Sequence, residues 1–198
     1  MKPDKRALTQ WTKSAISYKN YQVFIDKKTD KFKLTLIDLL YISNFKGGNA
    51  TINEPETIID NKLLFYSQIL IDIESKFKNK LLSSLNDTEF EELEKKITLI
   101  CKLTLKGTKT KIDGFSVSYL SALLSAYFPK LIPILDRRVL INLSLVNEDD
   151  VTKNGQIKDI QRFYCLLLKE IAILCKKENL SIREIDKSLF TSELREIE

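Results

Sequence analysis

Two short runs hold the residue types best suited to chemistry: Asp113-Gly114-Phe115-Ser116-Val117-Ser118-Tyr119-Leu120-Ser121-Ala122 and Pro133-Ile134-Leu135-Asp136-Arg137-Arg138-Val139. The first reads as a tight glycine-containing hairpin leading into an apolar helix. The free N–H groups and positive end of such a helix suit a phosphate. Ser116 and Ser118 can cap that helix or add hydroxyl donors. An ordinary helix–helix turn, with Gly114 for backbone freedom, accounts for the same residues. The second run places Asp136 at the N-cap of a further helix. Capping alone justifies an aspartate there, contributing about 1 kcal/mol. The functional alternative is a half-enclosed carboxylate kept charged by Arg137, Arg138 and the helix N-terminus. Such a group can stabilise an oxocarbenium-like sugar as a glycosidic bond breaks, or orient the attacking water.

Further candidates flank these runs. Lys106, Lys109 and Lys111 make the approach to the hairpin basic. The loop Ser43 to Asn49 presents Asn44, Phe45, Lys46 and Asn49 on a Gly-Gly turn. It can push an amide or an aromatic ring into a duplex in place of an extruded base, or it can be a simple helix stop with Phe45 folded inward. Trp11, Tyr18, Phe24, Tyr119, Tyr127 and Tyr164 can stack on bases or fill the core.

The composition narrows the chemistry. The chain has no histidine, so Cys/His zinc sites, histidine triads and histidine bases are excluded. Cys101, Cys165 and Cys175 form no C-x-x-C pair and fall on apolar helix faces, as buried free thiols do. No metal or cofactor is expected. The 32 basic against 27 acidic residues, net +5, are a mild excess compatible with a polyanion partner. Met1-Lys2-Pro3-Asp4-Lys5-Arg6 leads into a polar helix, not an apolar signal core, and no apolar run approaches the ~20 residues of a membrane span. An intracellular, cytoplasmic protein is expected, associated with the nucleoid if DNA is its partner.

Helical spacing dominates the elements that must position these residues. Residues 6–25 carry a loose helical pattern. Residues 34–44 are apolar nearly all round, which predicts a central helix. Asn53-Glu54-Pro55 is a helix start, and Thr88-x-x-Glu91 and Ser181-x-x-Glu184 read as capping boxes. Residues 117–128, 137–146 and 157–177 complete an all-α chain of about seven to nine helices. A short strand over Lys31 to Leu36 is the one competing pattern.

The order of loop, hairpin and aspartate turn resembles the helix-hairpin-helix DNA glycosylase superfamily, that of endonuclease III and the 8-oxoguanine glycosylases. In that family a buried helix ends in a duplex-probing loop. A hairpin of the type L-x-G-V-G-x-K-T-A follows, then a P-V-D-T-H-V turn whose aspartate is catalytic. Leu39 through Asn49 matches the probing element, Asp113 to Leu120 the hairpin, and Ile134 to Val139 the aspartate turn. The interval from Gly114 to Asp136 is about what the family shows. The resemblance covers roughly residues 30–198 and sets residues 1–30 apart as an N-terminal helical extension. It implies a two-lobed helical bundle with a helix-hairpin-helix element, acting as a monomer on double-stranded DNA with a modified base. Asp136 becomes the catalytic residue. Gly114, Ser116, Ser118, Lys106, Lys109, Lys111, Arg137 and Arg138 become DNA contacts. Ser116 replaces the second hairpin glycine, and Ser118 stands where lyase-competent members carry lysine. Hydrolysis without efficient strand cleavage is therefore implied, and the four-cysteine iron–sulfur motif is missing. A non-enzymatic module that uses the same fold to bind DNA or a protein is the alternative.

Overall fold

Asp4 starts the first helix by accepting hydrogen bonds from the N–H groups of Arg6 (2.9 Å) and Ala7 (3.1 Å) at its Oδ1. In the computed structural model, which describes residues 2–48 and 50–197, this helix, α1, spans Lys5–Lys27. It is followed by α2 (Leu36–Phe45), α3 (Glu56–Phe77), α4 (Asp87–Leu103), α5 (Val117–Tyr127), α6 (Arg137–Asn142), α7 (Tyr164–Glu178) and α8 (Ile182–Thr191). Short 3-10 turns occupy Leu82–Ser84, Glu148–Asp150 and Ile160–Phe163. Among the described residues there is no strand, only two isolated bridges. The chain is all-α, and Lys31 to Leu36 is a turn leading into α2. No described helix is long and apolar enough to cross a membrane.

Local signals placed most helix starts. Pro55 precedes α3, and Ser181 and Glu184 close their capping box on α8, with Ser181 N–H to Glu184 Oε2 at 2.8 Å. The box on α4 sits two residues earlier than Thr88 suggests. Asn86 Oδ1 accepts from Glu89 N–H (2.9 Å), and Glu89 Oε2 accepts in return from Asn86 N–H (3.1 Å). Asparagine caps as well as threonine does, and the nearer pair takes the role. Helix α6 is also shorter than its apolar pattern. Ser144 turns left-handed (φ +56°), and the Ser144 and Leu145 N–H groups bond back to Ile141 and Leu140, closing a Schellman stop. Likewise α7 begins only at Tyr164, behind a 3-10 turn.

Packing puts α5 at the centre, where nine of its residues are buried. Helix α2 buries Leu39, Ile42 and Phe45 but leaves Ile37 and Leu40 half exposed, so it covers the core from one side. Helix α1, set apart by the sequence as an extension, buries Ala7, Tyr18, Tyr21 and Ile25, the last three in the same core cluster. A buried polar knot ties α1, α2 and α5 together. Asp38 accepts from the hydroxyls of Tyr21 (2.9 Å) and Tyr127 (3.0 Å), from Lys28 Nζ (2.9 Å) and from Thr35 N–H (2.9 Å). Burial, then the charge of Asp38, pushes both tyrosine hydroxyls far up. Arg138 ties the two ends of the chain to α6 by donating to Asp4 Oδ2 (2.8 Å), the Phe190 carbonyl (2.9 Å) and the Ser192 carbonyl (2.7 Å).

A candidate active site at Asp136

Asp136 is held from behind by α5. Leu135, fully buried, donates its N–H to Ser121 Oγ and accepts at its carbonyl from Ser118 Oγ, both at 2.9 Å. This two-point clamp fixes the direction in which the next side chain leaves the core. The carboxylate then divides its oxygens. Oδ1 accepts from Arg138 N–H (2.9 Å) as the N-cap of α6, and Oδ2 accepts from Lys46 Nζ (3.2 Å). The side chain is about a quarter exposed, so it is both anchored and reachable.

It forms part of the wall of two cavities. One, of about 810 Å³, is enclosed by α1, the turn after α2, and α8, and includes Trp11, Phe45, Arg183, Asp186 and Phe190. The other, of about 720 Å³, includes Ser116, Ser118, Arg137 and Gln156. Both volumes suit a ligand of nucleoside size. The first is bounded by aromatic rings, with Trp11 and Phe190 centroids 5.7 Å apart. The Arg183 guanidinium lies 3.9 Å from the Trp11 ring centre and 4.6 Å from that of Tyr18. Cation–π attraction of this kind is strongest when the cation is desolvated. Burial draws the Arg183 guanidinium pKa down, against the pull of Asp186. It pushes the Tyr18 hydroxyl up to about 12.

The hairpin lies beside Asp136, but its residues divide. Ser116 is exposed and lines the second cavity, and its hydroxyl makes no capping bond. Ser118 is committed to Leu135. Gly114 adopts φ +79°, and a Cβ there would collide with the Thr51 carbonyl oxygen. The close approach that this glycine permits is therefore to the chain's own backbone. Lys106 and Lys109 are exposed between α4 and α5, whereas Lys111 is half-buried and its carbonyl accepts from Lys62 Nζ (2.6 Å).

Two expectations need correction. Neither neighbouring arginine supplies the charge facing Asp136. Arg137 donates to the Gly155 carbonyl and Arg138 to the chain termini, so the cation is Lys46, from another helix. The expected probing loop begins later than its pattern suggests: Ser43 to Phe45 form the last turn of α2, where Asn44 is exposed and donates to Ser17 Oγ (3.0 Å). Phe45 is buried, its ring 5.3 Å from Tyr18, because an aromatic side chain gains more from the core than from water. It bounds the cavity rather than projecting from the loop. Asn49 lies outside the described residues.

Several cavity residues escaped the sequence reading. Arg6, Gln10, Lys13 and Ser17 line the first cavity from α1. Their spacing of three to four residues marks one polar helix face flanking Trp11, a signal legible in the sequence. No local pattern singles out Arg183 or Asp186 in the sequence. The structure buries Asp186, and burial above all, with Asp136 adding to it against the pull of Arg183, pushes its carboxyl up to about 7. No family model, curated protein or solved structure matches this chain.

Proposed function

We propose that this protein is a monofunctional DNA glycosylase, hydrolysing the N-glycosidic bond of a modified or damaged base flipped out of a duplex. The observation that carries the reading is Asp136: capped, paired with Lys46, and open to cavities on both sides, with Ser116 and Ser118 bordering one of them. In this reading the α4–turn–α5 segment serves as the helix-hairpin-helix element, and the Asp136 groove is the cleft between two helical lobes. Extruding a nucleotide costs a few kcal/mol, least for a damaged or mismatched base. The aromatic-walled cavity can repay that cost by stacking. Asp136 stabilises the sugar cation and orients water. Ser116 and the exposed Lys106 and Lys109 hold the strand, and Asn44 and Lys46 border the gap left by the base. With Ser118 standing where lyase-competent members carry lysine, the product is an abasic site. The partner is double-stranded DNA and the acting unit a monomer.

Base release from duplexes carrying a panel of modified bases tests this. Asp136→Asn keeps the cap but removes the charge, and a loss of about a hundredfold or more is expected with unchanged melting temperature. Undiminished release by Asp136→Asn sinks the mechanism. The Gly114–Thr51 packing favours one second reading, a non-enzymatic helix-hairpin-helix module, because it gives the hairpin glycine a role without any phosphate. That reading expects salt-dependent DNA binding and no base release from any duplex.

A further inference from the structure

Asp38 and Asp186 are both buried on helices, and they are treated oppositely. Asp38 meets four donor residues. Asp186 makes no hydrogen bond. Among the described residues, its two carboxyl oxygens and Arg183 Nη2 are the buried side-chain polar atoms without a hydrogen-bond partner. Leaving such a group unsatisfied is costly, so each instance calls for an explanation. Asp186 and Arg183 both line the cavity that Asp136 shares.

We propose that Asp186 donates the proton to the departing base, while Asp136 serves the sugar and the water. This rests on the glycosidic hydrolysis reading given above. As the bond from C1′ to the base nitrogen breaks, its electron pair goes to the base, and the Asp186 carboxyl O–H passes its proton to that base. Water adds its oxygen to C1′ and gives a proton to Asp136. Exchange with solvent returns both carboxyls to their starting states, and the net change is hydrolysis.

The division of roles follows from what surrounds each acid. Asp136 accepts hydrogen bonds from an ammonium and a backbone N–H, so both of its oxygens are engaged. Asp186 makes no hydrogen bond, the Ile134 N–H being the one backbone donor near its carboxyl, and its nearest cation, Arg183, stands 3.8 Å away over aromatic rings. The groups facing Asp186 are Tyr18 from α1, Lys46 after α2, Asp136 before α6, Tyr164 and Cys175 from α7, and Arg183 on its own helix. Burial dominates, and a carboxyl pushed up to about 7 holds a proton it can give near neutral pH. Its carboxyl makes no hydrogen bond within the protein, which leaves the O–H uncommitted for an incoming base.

The test compares neutral with cationic leaving bases. Duplexes with uracil, hypoxanthine or 8-oxoguanine present bases that gain from a proton as they leave. A duplex with 7-methylguanine presents a ring already cationic, which leaves without one. Asp186→Asn should slow release of the neutral bases by about a hundredfold and 7-methylguanine by less than about threefold. Wild-type release of neutral bases should fall above about pH 7, and that alkaline limb should vanish in Asp186→Asn. Equal loss on both kinds of base, no loss on neutral bases, or release of 7-methylguanine alone by the wild type overturns the assignment but spares the glycosylase reading. If 7-methylguanine is not released at all, persistence of the alkaline limb in the variant overturns it. Should the variant fail to fold, a wild-type rate flat from about pH 6 to 9 does so. A wild type that releases no base removes the glycosylase reading and this assignment together.

Discussion

Lys46 Nζ donates to Asp136 Oδ2 across 3.2 Å and so joins the end of α2 to the start of α6. The pair lies at the rim of the larger cavity, with both side chains partly exposed. It orients the carboxylate without sealing it in.

Lys46→Met should therefore separate folding from function. Loss of a partly exposed pair costs about 1 kcal/mol or less, so the melting curve should barely move. Base release should fall by about tenfold or more, because a misdirected carboxylate loses its alignment with the sugar. Differential scanning calorimetry beside the release assay checks this. A large stability loss would mean the pair belongs to the fold.

Gly114→Ala and Gly107→Ala form a matched comparison. Both glycines have positive φ, +79° and +89°. At Gly107 nothing lies near the added Cβ, so only the left-handed backbone resists, at about 1 kcal/mol. At Gly114 the Thr51 backbone must also move, and a total of about 1–3 kcal/mol or more is expected. Urea midpoints rank the two. Equal losses would show that the Thr51 segment gives way freely.

Asp38→Asn should destabilise the chain strongly. It leaves Lys28 Nζ, almost fully buried, without its counter-charge, a change that typically costs about 3–5 kcal/mol. Lys28 retains neutral acceptors, the asparagine amide oxygen and the Tyr127 hydroxyl, and cation–π contacts with Phe24 and Tyr127, but no counter-charge. Equilibrium urea unfolding monitored by circular dichroism measures the loss.

The pH dependence of stability should carry the signature of Asp186. Its folded carboxyl is raised to about 7 from an ordinary value near 4. Between those values the native state holds the proton and the unfolded state does not. The contribution of Asp186 is thus fully present below about pH 4 and is lost as pH rises toward 7, by up to about 1.4 kcal/mol per pH unit. Glu54 and Asp72, whose carboxyls are drawn down on balance by their lysine partners against some burial, act oppositely, losing stability in acid. Comparing Asp186→Asn with wild type cancels those shared effects. The variant should be the more stable at pH 8, with an advantage that shrinks toward pH 5. An advantage constant across pH would show that Asp186 does not titrate in this window.

The sequence by itself determined the elements. Apolar spacing marked the helices, Pro55 and the Ser181–Glu184 box marked two of their starts, and Asp136 was legible as an N-cap, because such signals involve residues within one helical turn of each other. The tertiary structure alone decided which groups meet. It set Lys46 rather than Arg137 or Arg138 against Asp136, turned Phe45 inward, and made α1 a wall of the cavity. It also gave Asp38 hydrogen bonds from four residues while leaving Asp186 without one. These outcomes depend on how helices far apart in the chain rotate and pack against one another, and no local pattern encodes that rotation.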